Sequence, residues 1–419
     1  MRTFLRIMLL LALAGVGAFA AAPARAQNAA WPAECQQGAL PSGDLSYPAD
    51  QQILVCIPQN WNGVLVVYAH GYVAPQASLA LPIGELTLSN GKTVPEVLLP
   101  LGFAFATTSY HKNGYAIEQA GNDINALVSY VKGFAPVQRV LIAGASEGGL
   151  ITAMLVERFP ETYAGGLALC GPVGGMPYQT KYLGDFRVVF DSYFPNVFDF
   201  GATDVPLDAY QSWGTEYVPA ISNAILTHPR QTNDLFRVTQ AARNPLDPRN
   251  SAATTAITDL YYSVWGTNDL IATAGGQPYD NRSTIYRGSS NDLALNAKVE
   301  RVTGSPVAQQ YIAQFYQTTG QLQRPLVTMH TLLDPAVPFA HELIYANLTA
   351  NAGQLGNLTV LPVLRYGHCT FTADEVLGAF GVLVAKVSGT ALAGLPQHFD
   401  LDQARRDFVQ AERELARAH

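Results

Sequence analysis

The chain has 419 residues, 48% hydrophobic and 14% charged, with a formal charge of −7. That composition suits a large buried core, excludes a disordered chain, and at about 150 residues per domain leaves room for two or three units. The acidic balance, with no Lys/Arg block beyond the first residues, gives nucleic acid no electrostatic footprint. No stretch past the N-terminus approaches the ~18 apolar residues of a membrane span.

The N-terminus reads as a secretory signal over residues 1–26. Arg2 and Arg6 form a basic start, residues 7–22 are an apolar run rich in Leu and Ala, and Ala24-Arg25-Ala26 places cleavage after Ala26. The mature protein is therefore expected in the periplasm or the medium. In that oxidising setting the four cysteines, Cys35, Cys56, Cys170 and Cys369, are expected to be disulfide-bonded, with three pairings open. Cys35 with Cys56 would pin the N-terminal arm, and Cys170 with Cys369 would tie two strand ends together. No Cys/His spacing suits zinc, and no metal or organic cofactor is expected.

Short β-branched runs then alternate with helical patterns, the signature of an α/β sheet. Residues 63–69 form a continuous apolar strand ending at His70-Gly71, and residues 103–108 form a second, ending at Ser109-Tyr110-His111. Ile124, Leu127, Val128 and Val131 repeat at helical spacing after it. Residues 139–143 predict a third strand, followed at once by a helix over 147–159. Residues 167–170 predict a fourth, stopped by Gly171-Pro172. The rhythm lapses over 172–325, a stretch of loops, helical fragments and many aromatics. It resumes with a strand at 326–330, a helix near 338–348, a strand over 358–364, a helix over 372–387 and a charged amphipathic helix over 401–416.

Gly144-Ala145-Ser146-Glu147-Gly148 fits G-x-S-x-G, and it sits where that motif needs to sit, between an apolar strand and a helix. A serine hydroxyl is a weak nucleophile until a base takes its proton and an acid orients that base. For this architecture the chain order is Ser, acid, His. Asp334 follows the strand ending at His330, in a loop stiffened by Pro335 and Pro338. His368 follows the last strand, in Gly367-His368-Cys369, and none of the other histidines occupies that loop. The oxyanion of a tetrahedral intermediate needs backbone donors, each contributing about 2.7–4 kcal/mol; the amides of Tyr72 and Glu147 are expected to supply them. His70 is read as a loop brace, the Glu147 side chain as a partner of the helix dipole, and His111 and Tyr115 as possible pocket lining.

These residues resemble the α/β-hydrolase superfamily, over about 53–171 and from 324 to the helix after His368. The resemblance implies a mostly parallel, eight-stranded α/β sheet with helices on both faces and a large cap inserted after the sixth strand. The core would span 27–171 and 326–419, and the cap 172–325. Gly367-His368-Cys369 is partly similar to the tannase and feruloyl esterase group, where cysteines beside the nucleophile and the histidine are bridged. Here Ala145 stands beside Ser146, so the likeness points to Cys170 as the partner of Cys369.

The insertion is dense in aromatics, with Tyr182, Phe186, Phe190, Tyr193, Phe194, Phe198 and Phe200 at its start and Tyr261, Tyr262 and Trp265 further on. These serve either the cap's own core or an apolar pocket over Ser146. The leading expectation is an exported serine ester hydrolase acting on a small apolar or aromatic ester. A serine aminopeptidase-type peptidase on the same fold is the alternative. It would need carboxylates for a substrate ammonium, and nothing aims Asp185, Asp191 or Asp199 at Ser146. A non-catalytic binding protein on a hydrolase scaffold would be expected to lack a member of the Ser/Asp/His set.

Overall fold

The structure, a computed structural model, describes residues 31–41, 50–391, 394–396 and 399–418. The expected leader over 1–26 lies outside the described residues. The described residues divide into two compact units, one formed by those up to 176 together with those from 314 onward, the other by residues 177–313.

The first unit is built on one eight-stranded sheet: β1 (Cys35–Leu40), β2 (Gln51–Cys56), β3 (Val64–Ala69), β4 (Ala104–Thr108), β5 (Arg139–Ala145), β6 (Gly165–Leu169), β7 (Leu326–Leu333) and β8 (Leu358–Tyr366). Its spatial order is β1-β2-β4-β3-β5-β6-β7-β8. β2 pairs antiparallel with both neighbours, whereas all pairs from β4 to β8 are parallel. Parallel strands are covered on both faces, so they read as unbroken apolar runs; β4 and β6 are buried at every position. Helices α1 (Ile117–Phe134), α2 (Glu147–Arg158), α3 (Ala340–Asn351) and α4 (Ala373–Ser388) follow β4, β5, β7 and β8, and α5 (Leu401–Ala418) closes the chain. α1 buries Ile117, Ala120, Ile124, Leu127, Val128 and Val131 along one stripe, the spacing of an amphipathic helix. α4 begins with a capping box in which Thr372 and Glu375 satisfy each other's backbone amides.

Two strands escape the sequence reading. β1 is a polar edge strand, exposed at its four central positions, and carries no alternating pattern; β2 begins with two glutamines. What joins them covalently is the disulfide Cys35–Cys56, whose residues are direct partners in the β1–β2 register. The second disulfide is Cys170–Cys369.

The second unit is more helical than its sequence suggested. It contains an 18-residue helix, Pro248–Trp265, that buries Ser251, Thr255, Asp259 and Ser263 as well as its apolar residues. A helix enclosed on most sides loses the one-faced periodicity that betrays a surface helix. The aromatic residues are largely that unit's own core: Tyr182, Phe186, Phe190, Phe194, Phe198, Trp213, Tyr279 and Tyr286 are buried together. Arg187, 1% exposed, lies within it. Its guanidinium sits 4.1 Å from the Phe198 ring centroid and donates to Asp191, Ser263 and the Phe200 carbonyl. Asp185 accepts from Tyr279, Tyr286 and Lys181. Two of the three acids considered for a substrate ammonium thus have partners inside their own unit.

Candidate active site

β5 runs out at Ala145, and α2 begins at Glu147 with no loop between them. Ser146 makes the turn alone, at φ 55° and ψ −123°. A non-glycine residue held in such a conformation costs about 1–3 kcal/mol, and the surrounding packing over-determines it. The Ser146 amide donates to the Leu169 carbonyl at 2.9 Å, and the Ser146 carbonyl receives Gly149 N–H at 2.9 Å. Gly148 lies so close to the end of β3 that a Cβ there would run into the Ala69 carbonyl. Gly148→Ala is therefore expected to displace the turn, lowering stability by about 1–3 kcal/mol as overpacked sites do and lowering kcat as well. Denaturant unfolding together with steady-state kinetics checks this.

The other two groups arrive from the ends of β7 and β8. Asp334 follows β7 directly, and its Oδ1 accepts from the amides of Ala336 and Val337, each at 2.9 Å. His368 follows β8 across Gly367, whose φ of 116° favours glycine and whose amide donates to Leu333. The histidine's Nδ1 lies 2.8 Å from Asp334 Oδ2 and its Nε2 lies 2.9 Å from Ser146 Oγ. A carboxylate can only accept, so Nδ1 carries the proton and Nε2 is left to accept from the serine hydroxyl. Asp334 is 2% exposed. Burial works against its charge, but His368 and His330 beside it hold its carboxyl below the ordinary carboxylate value.

The disulfide Cys170–Cys369 braces this arrangement. Cys369 follows His368 directly, and its Sγ lies 3.5 Å from His368 Nε2. Cys170 directly follows β6, and its amide donates to the Met329 carbonyl of β7. Both cysteines have positive φ, 45° and 54°. Cys170, His368 and Cys369 bring three ligand-type atoms within 4.8 Å of one another, but both sulfurs are tied up in the disulfide.

An eight-stranded sheet of this order, with a strained serine between the fifth strand and its helix, an acid after the seventh and a histidine after the eighth, decides the architecture. The fold is that of the α/β-hydrolases. No family model matches the chain, and no curated protein matches it. Among solved structures, feruloyl esterase B from Aspergillus oryzae is 13% identical with a TM-score of 0.48, covering 86% of this chain and 89% of that one. Acylaminoacyl peptidase from Pyrococcus horikoshii is 11% identical with a TM-score of 0.42 over 88% of this chain. Ferulic acid-bound Est1E from Butyrivibrio proteoclasticus is 11% identical with a TM-score of 0.38, covering 84% and 99%. The chain spans 43% of the length of the Pyrococcus horikoshii peptidase.

The Gly71–Tyr72 peptide runs beside Ser146, since a Cβ on Gly71 would lie 3.2 Å from both the Ser146 Cβ and the Ala145 carbonyl. Glu147 is the first residue of α2, where backbone amides have no carbonyl within the helix to bond. Its side chain is buried, and Oε1 accepts from the Ala116 amide at the start of α1. His70 stacks on Tyr110 with ring centroids 3.8 Å apart, and the Tyr110 hydroxyl donates to the His70 carbonyl. His111 is buried against Asp123, 2.6 Å from its Nδ1. Tyr115 packs on the Tyr72 ring and accepts from Tyr316 through its carbonyl.

Three residues went unmarked in the sequence. Glu85 accepts the Gly71 amide at 2.9 Å and the Tyr68 hydroxyl at 3.0 Å, so a carboxylate anchors the loop beside Ser146. His330 and Glu342 sit behind Asp334. No motif spacing links any of them; only the packing of strand, loop and helix brings them together.

His341 on α3 has a separate role. It is fully buried, and its Nδ1 accepts the Gly174 amide at 3.1 Å, so the ring is neutral there. Burial, with the nearby His330 charge, holds its pKa well below 6.5. The unfolded chain binds a proton that the native state refuses, so this group leaves stability intact above about pH 6.5 and subtracts from it as pH falls below. Melting temperature is expected to drop between pH 7 and 5. His341→Gln, which keeps an acceptor but does not titrate, is expected to flatten that drop.

Proposed function

We propose that this protein is an exported serine hydrolase that cleaves carboxylic esters through an acyl-enzyme on Ser146. One observation carries the reading: Ser146 Oγ, His368 and Asp334 form an unbroken hydrogen-bonded line with the serine on a strained strand-to-helix turn. His368 Nε2 takes the hydroxyl proton as Oγ attacks the acyl carbon, and the amides of Tyr72 and Glu147 receive the developing oxyanion. The imidazolium returns the proton to the departing alkoxide. Water then enters and gives a proton to His368 as its oxygen bonds the acyl carbon; the imidazolium returns that proton to Ser146 Oγ as the acyl–Oγ bond breaks and the acid leaves. Asp334 steadies the imidazolium in both halves. Two disulfides support a route through an oxidising compartment, and no described helix is long and apolar enough to cross a membrane. The substrate is read as a small-molecule ester with an apolar or aromatic acyl group.

The test is a panel of p-nitrophenyl esters with short, long and aromatic acyl groups, run beside labelling by a fluorophosphonate. Hydrolysis, with label on the peptide carrying Ser146, supports the reading. A folded protein that hydrolyses aminoacyl p-nitroanilides but no ester would move it to the peptidase class, and one that neither turns over nor labels would overturn it.

A further inference from the structure

Behind the Ser/His/Asp line, the structure continues into a buried pair that the ester-hydrolase chemistry does not require. His330, near the end of β7, is fully buried, as are Glu342 of α3 and Thr328. His330 Nε2 lies 2.9 Å from the Val337 carbonyl, which can only accept, so that nitrogen carries a proton. Nδ1 faces Glu342 Oε1 at 3.1 Å, and Glu342 Oε2 receives the Thr328 hydroxyl. A carboxylate sealed from water in this way is held by a charge partner and by hydrogen bonds to both oxygens, and His330 is the partner in reach. The same Nε2 lies 3.5 Å from Asp334 Oδ2, the oxygen that accepts from His368 Nδ1.

We propose that His330, held as an imidazolium by Glu342, is a positioning residue for the hydrolase reaction: it pins the Asp334 loop and sets the pH below which His368 stops acting as a base. The inference rests on the serine-hydrolase reading above. Through Val337, His330 fastens the turn whose amides orient Asp334. Through its charge, it competes with His368 for the same carboxylate oxygen. The ionisable groups facing His330 are Asp334 from the loop, Glu342 and His341 from α3, and, across Asp334, His368 from the loop after β8. His341 is neutral where it accepts Gly174, and the Phe339 ring closes another side edge-on. Burial alone would discharge His330; hydrogen bonds and charge from Asp334 and Glu342 overcome it and push its pKa up to about 10.

Glu342→Gln removes the charge while keeping the shape. The amide can donate to Nδ1 and accept from Thr328, leaving a neutral His330 that still donates to Val337. With no cation beside Asp334, the carboxylate stabilises the His368 imidazolium more strongly. The acid limb of the kcat/KM–pH profile for a p-nitrophenyl ester is then expected to move up by about one pH unit, a tenfold loss at pH values on the limb. A purely structural role would lower kcat at every pH and leave the limb in place; an unmoved limb overturns the proposal. If the variant does not fold, 15N NMR of histidine-labelled unsubstituted protein decides. Protons on both His330 ring nitrogens at pH 8 support the pair, and an unprotonated Nδ1 overturns it. Absence of ester turnover in the unsubstituted protein would instead sink the reading on which this one rests.

Discussion

Replacing Ser146 with alanine is expected to lower kcat for ester hydrolysis by on the order of 10⁶-fold, the scale on which loss of a triad nucleophile is felt. The expected size follows from the geometry. Oγ meets His368 Nε2 at 2.9 Å and stands on the turn beside the Gly71–Tyr72 peptide. A water molecule in its place would lack the covalent tether that makes attack unimolecular. The methyl group of alanine introduces no clash and leaves the turn, its positive φ and its backbone hydrogen bonds as they are. Circular dichroism and melting temperature should therefore match the parent. Retained turnover in a folded Ser146→Ala protein would remove Ser146 from the mechanism.

Asp334→Asn is expected to reduce kcat by about 10⁴-fold with the fold preserved. The asparagine carbonyl can still accept from Ala336 and Val337, which fixes which way the amide points and turns its NH₂ towards His368. Nδ1 must then accept, which places the ring proton on Nε2, the nitrogen that has to receive the serine proton. The histidine stays in position as the wrong tautomer. Measurement of kcat at the alkaline plateau, together with a thermal melt, separates this effect from unfolding. A near-parental rate would show that the acid lies elsewhere.

The parts of the molecule legible in sequence are those where burial on both faces makes the pattern unambiguous. β3 through β8 announced themselves as apolar runs, and Ser146, Asp334 and His368 each sat at the carboxyl end of one of them. β1 was silent because an edge strand facing solvent needs no apolar alternation. The helix Pro248–Trp265 was silent for the opposite reason, since burial around most of its surface erased its stripe. The residues behind the site were out of reach on other grounds. Glu85 contacts Gly71 from a loop, and Glu342 contacts His330 from the next helix, so neither shares a motif with its partner. In composition the aromatic insertion was open to two meanings, and the structure puts most of its rings into that unit's own core.

The Cys170–Cys369 bond closes a covalent ring of chain with a sequence separation of 199. In the chain-entropy account, a ring that size restrains the unfolded state by about 5 kcal/mol. All of residues 177–313 lie within it. A protease that nicks the backbone once inside that insertion would release nothing. The fragment carrying Ser146 and the fragment carrying Asp334 and His368 would remain one molecule, parting only after a reductant had opened the bond.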